Sequence, residues 1–165
     1  REKFLAMQKQ HEIEGQTNLN PIHADALPWA VHALHPKQVQ QFFILYPNPE
    51  PHNPAQRWLN KPFFEFLISR LDQHGTVTLA SNIPEYIAEA EQQLINVWKL
   101  PFVKEVIPAT SARTHFEVKY LERGELCQQL IISKPEGYIT RFDDFQPLQG
   151  QNLKIETATV EAKHD

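Results

Sequence analysis

Four prolines, at 47, 49, 51 and 54, follow directly on the apolar stretch Val39 to Tyr46, and this junction constrains the chain more than any other feature. Each ring holds φ at about −65° and removes a backbone donor, so the segment excludes helix. Val39-Gln40-Gln41-Phe42-Phe43-Ile44-Leu45-Tyr46 reads as a strand covered on both faces. The run Tyr46-Pro47-Asn48-Pro49-Glu50-Pro51-His52 is therefore a stiff polar loop at the carboxyl end of a strand. In open α/β sheets ligands bind there, so the loop is either an active-site wall or a connecting turn.

Length and composition narrow the class without choosing a function. A chain of 165 residues suits one domain with a sizeable core. With 22% charged residues, a mean hydropathy of −0.47 and no apolar run of spanning length, the chain is predicted to be globular and not transmembrane. Cys127 is the single cysteine, so no internal disulfide forms, and its apolar strand context predicts a buried thiol in a reducing cytoplasm. A net charge of −4 is no polyanion footprint; any nucleic-acid contact has to come from a local patch. The chain opens at Arg1 within an amphipathic pattern and without a cap, which predicts a piece of a longer protein.

Along the chain, helical spacing runs from Phe4 to about Glu14, a short strand from Asn18 to Ala24 ends at Asp25, and a short helix covers Leu27 to Leu34. Pro62 opens a helix to about Leu71, Gly75 precedes a strand over Thr76 to Ala80, and Pro84 opens a helix to about Trp98. Strands follow at Phe102 to Ile107 and Leu126 to Ser133, with a strand-like alternation at Leu153 to Val160. This alternation predicts an α/β fold with a mainly parallel sheet. The expected organisation is one domain over 1–134 and a partly mobile C-terminal extension over 135–165.

Candidate chemistry is sparse. Eight histidines include no paired metal motif, only five glycines occur, and no phosphate-cradling loop is present. Asp25, Asn48 and Asn82 each follow a predicted strand, so together they line the carboxyl edge of the sheet. Singly, each reads better as a helix cap or turn residue. Thr114-His115-Phe116-Glu117 forms a further polar element, which alone reads as a charged loop.

With these segments in order, the chain resembles the bacterial tRNA (guanine-N7)-methyltransferase family. The resemblance rests on His23-Ala24-Asp25-Ala26, Phe42 through Pro49, Pro62-Phe63-Phe64 through Leu71, Leu79-Ala80-Ser81-Asn82 with Tyr86, and Thr114 through Tyr120. It implies a Rossmann-like class I methyltransferase sheet, S-adenosylmethionine as cofactor and tRNA as partner. It also implies Asp25 on the adenine, Asn48 beside both cofactor and guanine as the catalytic position, and His52, Arg57, Asn82, Thr114, His115, Phe116 and Glu117 around the acceptor.

The chain also departs from the family pattern. Asn48 stands where the family has an aspartate in Pro-Asp-Pro-Trp-x-Lys, with Glu50 for the Trp and His52 for the Lys, and Asn82 replaces a second aspartate. Around the loop, Arg57 is the one cation of the stretch Asn53 to Trp58. The family's glycine-rich loop and ribose-binding acid would lie before Arg1, so half the cofactor site is expected outside this chain. A divergent methyltransferase with another acceptor, or an inactive binding module that keeps the fold, are the alternatives these departures leave open.

Overall fold

The computed structural model describes residues 24–147 and the backbone of Thr157–Glu161. The expected helix up to Glu14 and most of the strand Asn18 to Ala24 lie outside the described residues. Asp25 caps helix α1 (Ala26–Ala33), its Oδ1 accepting from the Leu27 amide at 3.4 Å. Strand β1 (Val39–Leu45) ends one residue before the proline loop. Two short 3-10 turns at Pro54–Gln56 and Trp58–Asn60 lead into α2 (Pro62–Arg70). Strand β2 (Leu71–Ser81), α3 (Pro84–Gln93), β3 (Phe102–Val106), α4 (His115–Glu122), β4 (Gln128–Ser133) and β5 (Thr157–Glu161) follow.

The strands form one sheet in the order β3-β4-β2-β1-β5. β1 lies parallel to β2 and to β5, pairing Leu45 with Ala80 on one side and with Glu161 on the other. β4 runs antiparallel to both β2 and β3, so the expectation of a mainly parallel sheet is corrected to an evenly mixed one. The physical reason is α4. This short helix stays at the carboxyl end of β1, where Phe116, Tyr120 and Leu121 pack on Leu45, Tyr46 and Ala80. The chain leaving it re-enters the sheet from that same end, and Gln128 pairs with Val106 at the start of a returning strand.

Side chains alternate across β1, sending Phe42 and Ile44 to the face shared with Val77, Leu79, Leu130 and Ile132. There α2 and α3 bury Phe64, Leu67, Ile68, Ile87 and Ala90 against them. Two bounds differ from the sequence pattern. β2 begins at Leu71 because a register irregularity sets the four residues Asp72 to Gly75, with His74 at φ +64°, against Gln40 alone. A Cβ on Gly75 would stand 2.8 Å from the Asp72 carbonyl oxygen, so only glycine fits there. The expected helix to Trp98 widens into a π-helical turn at Leu94–Trp98, which lets Trp98 Nε1 donate to the Leu59 carbonyl at 2.8 Å.

Candidate active site

The ends of β1 and β2 carry the polar residues toward one edge. Tyr46 leaves β1 at φ +54°, a left-handed conformation that is uncommon for a large side chain. Its N–H donates to the Ala80 carbonyl at 2.8 Å and its hydroxyl to Glu117 Oε1 at 2.7 Å. Asn48 is exposed two residues later, with Oδ1 accepting from the Glu50 amide at 3.2 Å, and Glu50 also has a positive φ, +47°. His52 is exposed on the loop. On the neighbouring strand end, half-buried Asn82 donates from Nδ2 to Glu125 at 3.1 Å.

Arg57 closes the loop. Its Nε donates to the Pro49 carbonyl at 2.9 Å and its guanidinium pairs with Glu89 of α3. The other Glu89 oxygen accepts from Asn60 Nδ2 at 2.5 Å, and the Tyr86 hydroxyl accepts from the Trp58 amide at 3.2 Å. Burial pushes the Tyr86 hydroxyl up to about 12, so it stays protonated. Lys61 lies 4.5 Å from the centre of the Trp58 ring. Burial lowers its pKa, while the charges of Glu50 and Asp25 oppose that shift.

Thr114 and Glu117 build the start of α4. Thr114 is its N-cap, its Oγ1 accepting from the Glu117 amide at 3.1 Å. Glu117 is fully buried. Its carboxylate accepts from Ser111 Oγ at 2.7 Å, from the Arg113 amide at 2.9 Å and from Arg113 Nη2 at 2.6 Å, in addition to Tyr46. Burial alone would raise its pKa, but the hydrogen bonds from Arg113, Tyr46 and Ser111 outweigh it and hold the carboxyl at about 2. His115 is exposed beside Phe116, with ring centres 6.0 Å apart.

Ser111, Arg113 and Tyr46 are the site residues that the sequence reading missed. The signal that points to the first two is the Thr-x-x-Glu spacing of a capping box, whose glutamate reaches back to the backbone before the helix. Here it reaches Arg113, one residue before the cap. A separate concavity of about 230 Å³, lined by Gln40, Gln41, Asp72, His74 and neighbours, opens at the opposite, amino end of β1. It shares no residue with the polar cluster, so the chemistry and not the cavity volume identifies the site.

The proline loop, Asn82 and Thr114 to Glu117 thus collect at the carboxyl end of β1 and β2, although they lie far apart in sequence, while Asp25 stands exposed at the cap of α1. A family model for methyltransferases matches residues 2–129. A comparison with curated proteins finds no match. Among the described residues, no helix is long and apolar enough to cross a membrane.

Proposed function

Because the chain belongs to the family of tRNA (guanine-N7)-methyltransferases, we propose that it transfers a methyl group from S-adenosylmethionine to guanine N7 in tRNA, on a Rossmann-like class I sheet and in the cytoplasm. The supporting observation is the convergence of Asn82 and the Thr114 to Glu117 segment beside the stiff loop that carries Asn48 and His52. Asp25 fits the adenine amino group. It is exposed, and among the described residues its carboxylate accepts only the long contact from the Leu27 amide, which leaves lone pairs for a donor. The described residues offer this partner for the adenine end of the cofactor.

When bound, S-adenosylmethionine supplies a methyl on a sulfonium, which guanine N7 takes with its ring lone pair while the sulfur keeps the electrons of the broken bond. No proton has to leave N7, so the residues have a positioning task more than an acid-base one. Asn48 keeps the shape and carbonyl acceptor of an aspartate without the charge that strengthens a hydrogen bond about twofold. His52, Asn82 and His115 border the acceptor. Phe116 presents a ring in this segment, and Arg57 holds the loop at its base.

The test uses the full polypeptide that the gene encodes, with methyl-labelled cofactor and unmodified tRNA. Labelled 7-methylguanosine in the digest is the expected result. Asp25→Ala is expected to weaken cofactor binding by about 10- to 100-fold, the equivalent of losing a hydrogen bond to a charged group. Transfer only to another RNA or to a small molecule would favour a divergent acceptor, and no transfer at all would overturn the proposal in favour of a binding module.

A further inference from the structure

A proline fixes φ but leaves ψ free, so four prolines stiffen the loop after β1 without aiming it. Two anchors do that. At its start, Tyr46 holds a left-handed conformation that is strained for a non-glycine residue, and it is fastened by its N–H to Ala80 and by its hydroxyl to Glu117. At its end, Arg57 binds the Pro49 carbonyl and pairs with Glu89, which Asn60 also holds. Glu117 belongs to α4 and Glu89 to α3, so the loop is held between two helices. Between the anchors, the Glu50 amide donates to Asn48 Oδ1 and the Asn53 amide donates to the Glu50 carbonyl.

From this geometry we infer that Tyr46 and Arg57 are positioning residues, anchored on Glu117 and Glu89, that hold loop 46–57 so that Asn48 meets cofactor and acceptor in one geometry. The inference rests on the methyl-transfer reading above and extends it to residues that do not touch the substrate. Glu117 acts through Tyr46. With five donor atoms on its two oxygens, its carboxylate is committed inward. Glu89 acts in the same way through Arg57.

The test compares the full gene product with Tyr46→Phe, Arg57→Gln and Arg57→Lys. Nitrogen-15 relaxation of the Asn48, Glu50 and Asn53 amides reads the loop without any substrate. In Tyr46→Phe and Arg57→Gln their order parameters are expected to fall from about 0.85 to below about 0.6, with β2 amides unchanged. Turnover is expected to fall about 10- to 100-fold, as for a misplaced reacting group, with KM for the cofactor little changed. Arg57→Lys, which keeps the ion pair, should recover part of both. A loop that stays rigid in both variants overturns the inference. So does loosening spread evenly over the protein, or a loosened loop with undiminished kcat. If the unmutated protein methylates no acceptor, the proposed function falls, and relaxation alone decides whether the clamps exist.

Discussion

Glu117 is fully buried and remains ionised because its surroundings supply donors from three residues, Tyr46, Ser111 and Arg113. Its carboxyl sits at about 2 against an ordinary 4.5. A depressed carboxyl stabilises the fold above its unfolded pKa and loses that contribution as pH falls through the folded one. The window is therefore from about pH 4.5 down to about 2, and the shift corresponds to about 3 kcal/mol. Urea unfolding across this range should show the loss in the unmutated protein and a flatter pH dependence in Glu117→Gln, which lacks the titrating group. Parallel curves for the two proteins would show that Glu117 does not carry the effect. Tyr46, whose pKa is raised by burial and then by Glu117, remains a donor throughout this window.

At the scale of elements, the joint between α1, α2 and the segment after β4 turns on Arg70. This side chain is fully buried, and burial lowers its pKa to about 10. Its guanidinium donates to the Leu34 and Phe145 carbonyls at 2.9 Å and to the Phe142 carbonyl at 2.6 Å, while Phe66 lies 4.6 Å away as a ring partner. Arg70→Met keeps similar volume but strands three carbonyls, and a buried acceptor left without its donor costs about 1–3 kcal/mol. Denaturant unfolding should show that loss, with hydrogen exchange rising first around Phe142 and Phe145. A loss below about 1 kcal/mol, the level of an ordinary hydrogen bond, would mean that the segment is held by its aromatic packing instead.

Across the whole molecule, a net charge of −4 means that the proposed tRNA contact has to come from local cations, and the loop cation Arg57 is already paired with Glu89. An arginine whose charge is compensated releases few counterions when phosphate approaches. For the full gene product and tRNA, Arg57→Gln should therefore change the slope of log affinity against log salt by less than the roughly 0.7 to 0.9 of one phosphate contact. Filter binding over a salt series measures it. A change of a full contact would mean that Arg57 leaves Glu89 to bind RNA.

Local features whose causes lie within a few residues were legible in the sequence alone. The proline loop follows from fixed φ angles, and the helices opening at Pro62 and Pro84 follow from a residue suited to the first turn and from apolar spacing. The ordered segments around Asp25, Asn48, Asn82 and Thr114 to Glu117 likewise carried the family resemblance without any contact being known. The direction of β4 was not legible there, because it depends on where α4 packs and not on residue alternation. The folded chain also pairs β5, read in the sequence as part of an extension, with β1. The inward commitment of Glu117 and the pairing of Arg57 were beyond the sequence for the same reason. Tyr46 and Glu117 are 71 residues apart and Arg57 and Glu89 are 32 apart, and such partners meet only once the chain is folded.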